Sequence, residues 1–254
     1  MSADTLTAPT PPRSPLSWSE LGHWERALEN MTTGERLHWF AETVAEPVFA
    51  TSFGVEDMVL LDILHQAGVQ GFRIVTLDTG RLPQATYDLM DRVIERYPLP
   101  IDVIAPEPSA LSELLRTYGP NGFYRSIEAR KACCEVRKVQ GLRKTLARTQ
   151  GWVTGLRRQQ AATRLHLPFL QLDMDHGGIL KLNPLLQWTE DEVWTYVREN
   201  DVPYNRLHDE GYPSIGCAPC TRAIRPGEDI RAGRWWWENP ETKECGLHLA
   251  PQPT

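Results

Sequence analysis

Two absences restrict the class of protein before any motif is considered. The chain lacks a basic excess: its 254 residues contain 27 Lys and Arg against 33 Asp and Glu, a net charge of −6. Broad affinity for nucleic acid needs basic surface, so no nucleic-acid partner is expected. The sequence also lacks an apolar run long enough to span a membrane and an N-terminal export signal. These absences predict a cytoplasmic protein without a membrane partner.

Cysteine is scarce, with five in the chain, and its distribution is uneven. Four form two close pairs, Cys133-Cys134 and Cys217-x-x-Cys220, whereas Cys245 stands alone in a polar segment near the C-terminus. In a reducing compartment, clustered cysteines bind metal or do chemistry more often than they form disulfides. The pattern predicts a four-thiolate site and a separate thiol with its own role.

The four paired cysteines suit either Zn²⁺ or an iron–sulfur cluster. Neighbouring side chains such as those of Cys133 and Cys134 diverge, which is awkward for one small tetrahedral ion. A cluster spreads its iron atoms apart, so adjacent cysteines can bind different irons. Burial as small apolar residues in a helix is the alternative for this pair. The spacing favours metal binding and leaves the choice between zinc and iron open.

Strand and helix signals alternate along most of the chain. The predicted strands lie at 46–53, 72–78, 101–106, 151–156 and 169–173. A capping box, Thr189-x-x-Glu192, predicts a further helix start. This alternation predicts an α/β fold: a mostly parallel twisted sheet with helices on both faces and ligands at the carboxyl ends of the strands.

The composition also suggests three segments. The start of the chain is rich in Pro, Ser and Thr, which predicts a disordered leader over residues 1–17. We expect the α/β domain to span 18–230. Residues 231–254 would then form a separate C-terminal segment, which the family resemblance described below implies lies over the site.

Three turns should meet at one edge of the sheet, because each follows a predicted strand: SFGVED, LDTGR and TGLRR. In the first, Ser52 and Gly54 precede a helix whose N–H groups could receive an anion or a nucleotide. An ordinary turn capped by Ser52 or Asp57 is the alternative. Glu56 and Asp57 argue against a polyphosphate cradle, since they put negative charge at the anion-binding end.

Basic residues concentrate beside these turns and the cysteine motifs, although the net charge is negative. A solvated helix face, or pairing of Arg81 with Asp78, is the alternative interpretation. The concentration favours an anionic substrate. The residues concerned are Arg81, Arg130, Lys131, Arg137, Lys138, Arg157, Arg158, Arg164, Arg231 and Arg234.

Cys245 lies among residues that favour a nucleophilic thiolate, since Lys243 and His248 are close in sequence. An incidental surface cysteine is the alternative. If four cysteines hold a metal, one thiol remains, and one thiol cannot complete a two-electron reduction. A second thiol would have to come from a partner protein.

Taken in order, the motifs resemble those of assimilatory adenylyl-sulfate (APS) reductases. They are SFGVEDMVLLD, LDTGR, CC, WVTGLRR, NPL, PYNRLHDEGYPSIGCAPCTR, GRWWWE and KECGLH. The resemblance implies an adenine nucleotide α-hydrolase-like fold and reduction of adenosine 5′-phosphosulfate to sulfite and AMP in sulfate assimilation. It also implies a 4Fe-4S cluster on Cys133, Cys134, Cys217 and Cys220, with Cys245 as the nucleophile.

The resemblance implies roles for further residues. Lys138, Arg164, Arg231 and Arg234 would neutralise the phosphosulfate, and His248 would position the sulfate or favour the thiolate. Thioredoxin would attack the Cys245 sulfur of the resulting S-sulfocysteine and release sulfite. The other residues expected to bind substrate are Ser52, Gly54, Leu77, Gly80, Arg81 and Gly155.

Several alternatives stay open. Relatives without the cluster cysteines use PAPS, the 3′-phosphorylated nucleotide. In this chain APS is favoured by the presence of the four cluster cysteines and by the acidic residues Glu56 and Asp57. Use of both nucleotides is the alternative. A second candidate is an adenylating ATP-pyrophosphatase, although Phe53 replaces a glycine of its Ser-Gly-Gly-x-Asp-Ser loop. A third is a zinc module without enzyme activity, against which the acidic charge and Cys245 argue. The oligomeric state is left open, a homo-oligomer included.

Overall fold

The computed structural model describes residues 18–160 and 164–239. Two helices, α1 (Trp18–Glu29) and α2 (Thr33–Thr43), precede the first strand. Helix α2 begins at a reciprocal capping box, in which the Thr32 hydroxyl accepts from the Glu35 N–H and the Glu35 carboxylate accepts from the Thr32 N–H. It then packs Leu37 into the core beneath the sheet.

A six-stranded sheet lies at the centre, in the order β3-β2-β1-β4-β6-β5. Its strands are β1 (Val48–Thr51), β2 (Arg73–Leu77), β3 (Ile101–Ile104), β4 (Gly151–Val153), β5 (Leu170–Asp173) and β6 (Ile179–Leu182). Strands β1 to β4 and β6 run parallel, and β5 pairs antiparallel with β6 at the edge. The predicted mostly parallel sheet is confirmed, with β6 as an addition to the predicted strands.

The remaining helices connect the strands. They are α3 (Val55–Gln66), α4 (Gln84–Arg96), α5 (Pro108–Tyr118), α6 (Ile127–Cys134), α7 (Gln140–Leu146) and α8 (Glu190–Glu199). Helix α8 starts at the predicted capping box, since the Thr189 hydroxyl and the Glu192 carboxylate cap each other's N–H groups. Within the described ranges, no helix has both the length and the apolar composition needed to cross a membrane.

Both faces of the sheet are covered, as the alternation of side chains along β1 shows. Phe49 faces the large core that includes residues of α2, α3, α4 and α8. Its neighbour Val48 faces a smaller core with Leu142 and Leu146 of α7 and with Trp152 of β4. The strand ends are therefore the part of the sheet that stays open to a ligand.

Candidate functional site

The carboxyl ends of β1, β2 and β4 open into one cavity of about 300 Å³. Ser52 and Gly54 follow β1, Leu77 ends β2, and Gly155 follows β4; all four line this cavity, which we name the strand-end cavity. The expectation that these turns share one edge is met. The volume is at the lower end of the range for small-molecule sites.

The turn after β1 is organised around an internal carboxylate. Asp57 accepts hydrogen bonds from the Ser52 N–H at 2.6 Å and from the Ser52 hydroxyl at 2.8 Å. Burial raises the pKa of Asp57 to about 6, against the opposing effect of these hydrogen bonds. Phe53 adopts a left-handed backbone with φ of 58° between the two residues. Asp57 thus satisfies donors that an external anion would otherwise use.

The turn after β4 approaches this carboxylate closely, which requires glycine. A Cβ at Gly155 would lie 2.5 Å from Asp57 Oδ1. Beside it, Glu56 pairs with Arg157 at 2.8 Å, with only 15% and 4% of the two side chains exposed. Gln160 donates a further hydrogen bond to Glu56 at 2.9 Å. The charge of Glu56 is therefore compensated.

Four predicted basic residues also line the strand-end cavity: Lys138, Arg164, Arg231 and Arg234. Arg234 donates to Ser214 Oγ at 3.3 Å, and a side chain at Gly216 would overlap its guanidinium group. Arg164 donates a hydrogen bond to Gln160. Convergence of cations in a concave site gives a strong positive potential, which suits an anionic ligand.

The four paired cysteines line a second, smaller cavity of about 20 Å³, which we name the thiol cavity. Cys133 and Cys134 end helix α6, while Cys217 and Cys220 bound a short 3₁₀ turn. The predicted pairs thus come together from distant parts of the chain. Lys138 lines both the thiol cavity and the strand-end cavity.

A π-helical turn, Glu135–Val139, joins α6 to α7 and interrupts the long basic helix. Such turns are often found at functional sites, because the inserted residue redirects the side chains that follow. Here the turn carries Arg137 and Lys138, and Arg137 Nη1 donates to Thr79 O at 2.6 Å. This hydrogen bond connects the segment after α6, the helix that carries Cys133 and Cys134, to the turn after β2.

The LDTGR turn serves the thiol cavity more than the strand-end cavity. Ala218 N–H donates to Arg81 O at 2.8 Å, and the Cys217 thiol donates to Thr79 Oγ1 at 3.3 Å. Gly80 and Arg81, predicted to bind substrate, are absent from the described wall of the strand-end cavity, and Arg81 lines the thiol cavity instead. Thr79, which is fully buried, is a site residue that the sequence reasoning missed.

The thiols titrate differently. Burial raises the pKa of Cys133, and it raises that of Cys220 to about 12 with help from the neighbouring thiols. Burial also acts on Cys217, but the charge of the Lys138 ammonium holds the pKa of that thiol below its usual value. Buried thiols side by side do not all ionise without a cationic partner, and a metal centre supplies one.

The GRWWWE segment is fastened to helix α6 by a buried ion pair. Arg130 donates to both oxygens of Glu238 at 2.9 Å, with 1% and 4% of the side chains exposed. The Arg130 guanidinium also lies 4.9 Å from the Trp235 ring centroid. Trp235 has a left-handed backbone, φ 39°, and its N–H donates to Cys220 O at 3.0 Å. Trp235 of this segment therefore packs with Cys220 and Phe123, next to the thiols.

The side chains around the thiols bear on whether a metal centre fits there. Across residues 18–160 and 164–239, no three His, Cys, Asp or Glu side chains form a group that could hold a metal ion on their own. The four thiols nevertheless share one cavity with the cations Arg81, Arg130, Arg137 and Lys138. Trp235 Nε1 is buried beside the thiols without a hydrogen-bond partner. Four thiols, a ring of cations and an unused donor fit an anionic thiolate-bound cluster.

His208 is a second residue that the sequence reasoning did not identify. It lines the strand-end cavity, and its Nε2 is buried without a hydrogen-bond partner. Its ring packs edge-on against Trp194 at 5.4 Å, and burial lowers its pKa. Nothing in the local sequence distinguishes it from an ordinary loop histidine. The predicted Cys245 and His248, with Lys243, lie outside the described residues.

Comparison with known proteins places this geometry in a family. Residues 46–223 match the phosphoadenosine phosphosulfate reductase domain. The chain is 56% identical over 201 residues to the adenosine 5′-phosphosulfate reductase of Allochromatium vinosum, covering 79% of this chain and 78% of that protein. The chain is 45% identical over 228 residues to the enzyme of the same name from Agrobacterium fabrum. This alignment covers 89% of this chain and 86% of that protein.

Solved structures agree on the fold. The phosphoadenylyl-sulfate (PAPS) reductase of Candida auris, in a phosphate complex, superposes with a TM-score of 0.71 at 26% identity, covering 84% of this chain and 100% of that one. The FMN adenylyltransferase of Candida glabrata, in complex with FAD and pyrophosphate, reaches 0.50 at 16% identity over 93% of this chain and 81% of that one. The second likeness concerns the fold alone. The order of motifs, the two cavities and these relatives together show that the chain belongs to the phosphoadenosine phosphosulfate reductase family.

Proposed function

We propose that this protein reduces adenosine 5′-phosphosulfate to sulfite and AMP through an S-sulfocysteine on Cys245, with thioredoxin as the reductant. The observation that carries the proposal is the position of Lys138 on the wall of both cavities. A cavity lined by cationic side chains and by the strand-end turns adjoins four thiols, and relatives at 44% to 56% identity are named for this reaction.

The strand-end cavity would hold the substrate by its two ends. Backbone groups at Ser52, Gly54, Leu77 and Gly155 would contact adenine and ribose at the strand ends. The phosphosulfate would lie against the cationic side chains of Lys138, Arg164, Arg231 and Arg234. Cations positioned before the reaction stabilise the charge that develops on the leaving phosphate.

The turn after β1 supports APS as the substrate over PAPS. Arg157 compensates the charge of Glu56, so Asp57 is the acidic group that would oppose a 3′-phosphate. Asp57 also satisfies the Ser52 N–H and hydroxyl, and these donors are therefore not available to that phosphate.

The proposed chemistry transfers a sulfonyl group to a thiol. The Cys245 thiolate attacks the sulfate sulfur, the bond from sulfur to the bridging oxygen breaks, and AMP leaves with the electron pair. A thioredoxin thiolate then attacks Cys245 Sγ, and the bond to SO₃ breaks to release sulfite. The second thioredoxin thiol resolves the mixed disulfide, so one dithiol is oxidised for each sulfate reduced.

Cys133, Cys134, Cys217 and Cys220 would hold a 4Fe-4S cluster. When bound, the cluster supplies a fixed charged group beside Lys138, and its role is structural and electrostatic because sulfonyl transfer moves electrons in pairs. Thr79 and Arg137 brace the cysteine motifs against the turn after β2. The chain's own contribution would be to hold Lys138 on the wall that the two cavities share.

The test is metal and activity analysis of anaerobically purified protein. We expect iron and acid-labile sulfide in equal amounts, and sulfite release from APS that depends on thioredoxin. PAPS assayed in parallel measures the preference for APS. Zinc without sulfide would contradict the cluster, and ATP-dependent release of pyrophosphate without sulfite would favour an adenylating enzyme.

A further inference from the structure

Three aromatic side chains, two exposed and one half-buried, form a row close to the end of the described chain. Tyr124 and Trp236 are 44% and 50% exposed. Trp237 connects them, with ring centroids 4.5 Å from Tyr124 and 5.5 Å from Trp236. Large rings normally favour burial, and Trp and Tyr carry much of the binding energy at protein interfaces. Two exposed rings joined by a half-buried one therefore mark an interaction surface.

This aromatic row (Tyr124, Trp236 and Trp237) is held in place from beneath. The Tyr124 hydroxyl donates to Pro219 O at 2.9 Å, and Trp237 packs on Phe123 with centroids 6.4 Å apart. The residue after the row, Glu238, is fixed by its buried ion pair with Arg130. A surface that is already ordered loses little conformational entropy when a partner binds.

The row also lies close in sequence to the proposed nucleophile. Cys245 follows Trp237 by eight residues. Eight fully extended residues span at most about 29 Å, which is close to the diameter of a small domain. A small protein that attacks the Cys245 sulfur must therefore sit within about its own diameter of the row.

We infer that the aromatic row is the docking surface for the thioredoxin-type dithiol protein that releases sulfite from Cys245. The inference rests on the proposed function and adds to it the place where the reductant binds. A macromolecular partner is needed only in the second half of the reaction, since the adduct forms from APS and this chain alone. Loss of the row should thus affect one half-reaction and spare the other.

The experiment compares Trp236→Ala and Tyr124→Ala with the wild type and with Ile94→Ala, a control on helix α4 whose side chain is 53% exposed. Three rates are measured on cluster-loaded protein: formation of the adduct from APS, sulfite release by excess dithiothreitol, and sulfite release against thioredoxin concentration. We expect the row variants to raise the KM for thioredoxin about tenfold, as for an interface hot spot, with the other two rates unchanged. The control should match the wild type in all three.

Three other outcomes would contradict the proposal that thioredoxin docks on the aromatic row. An unchanged KM for thioredoxin would show that the reductant binds elsewhere. Slower adduct formation in Trp236→Ala would mean that the row is covered by the chain's own C-terminal segment, and a changed mass by light scattering would assign it to a second copy. Failure of the proposed function is distinguishable, because the wild type itself would then form no adduct with APS.

Discussion

The strand-end cavity and the thiol cavity meet at Lys138, yet they are built in different ways. The first is formed by short turns at the ends of parallel strands, with Ser52, Gly54 and Gly155 bringing the backbone close to the ligand space. The second is lined by side chains from α6, the π-helical turn, the LDTGR turn and the 3₁₀ turn, and the buried Arg130–Glu238 ion pair holds the GRWWWE segment beside it. The nucleotide side thus follows from sheet topology, whereas the thiol side depends on contacts between distant parts of the chain.

The largest expected effect comes from the residue shared by the two cavities. Lys138→Ala should lower kcat/KM for APS by about 10²- to 10³-fold, the cost of removing one preorganised stabilising group. The iron content should stay at the wild-type value, because Lys138 is not a ligand. Steady-state kinetics and iron analysis of the same preparation check this. A kcat/KM within twofold of the wild-type value would contradict the prediction, because it would show that the reaction does not need the residue shared by the two cavities.

The next effect is on the thiol side alone. Glu238→Gln keeps the shape of the side chain but leaves Arg130 buried without its charge partner, which should cost about 3–5 kcal/mol of unfolding free energy. Glu113→Gln is the matched control, because its pair with Arg116 is exposed, at 60% and 75%. Urea unfolding of the cluster-loaded variants measures the difference. Equal midpoints would show that the GRWWWE segment is not anchored as described.

A smaller effect should appear on the strand-end side. Gly155→Ala places a methyl group 2.5 Å from Asp57 Oδ1, so the turn after β4 has to shift. Overpacking of this kind costs about 1–3 kcal/mol, and we expect the KM for APS to rise about tenfold with the iron content unchanged. Gly22→Ala is the matched control, because the nearest atom to its added methyl group lies 4.0 Å away. Gly177→Ala would not serve, since Gly177 has a left-handed backbone with a φ of 83°. Equal KM values for the two variants would contradict the close approach.

The smallest effect depends on pH and on Asp57. Because burial raises the pKa of this carboxyl to about 6, the folded protein takes up a proton between pH 7 and pH 5 that the unfolded chain does not. The stability this uptake contributes is full below the unfolded pKa and is lost as the pH rises through the folded pKa. The ratio of kcat/KM for APS over PAPS should fall a few-fold between pH 7.5 and 5.5, as the negative charge is lost. Asp57→Asn should reduce the pH dependence of this ratio to the part that comes from the 3′-phosphate of PAPS, whose own second pKa is about 6.

The sequence predicted the strand-end cavity better than the thiol cavity, for a physical reason. The carboxyl ends of parallel strands share one edge, so a local pattern such as SFGVED after a strand is enough to place Ser52 and Gly54. The sixth strand was not predicted; β6 is four residues long and follows Gly177 and Gly178. Its pairing with β4 is set by the sheet and not by local propensity.

Residues around the thiols depend on contacts that no local pattern encodes. Arg130 meets Glu238 across 108 residues, and Cys217 meets Thr79 across 138. Arg81 is near Leu77 in sequence, but its carbonyl oxygen accepts a hydrogen bond from the Ala218 N–H. Its side chain lines the thiol cavity. Convergence of the two cysteine pairs was predictable, because closely spaced cysteine pairs are typical of metal-binding sites.

The central claim, that Cys245 accepts the sulfonyl group from APS, can be tested by one measurement. Reduced protein with an intact cluster is exposed to APS without thioredoxin, and its intact mass is measured before peptide mapping. The account predicts a gain of one SO₃ on the peptide that contains Cys245, and no gain in Cys245→Ser. No adduct on cluster-loaded wild-type protein, or an adduct on another residue, would contradict it.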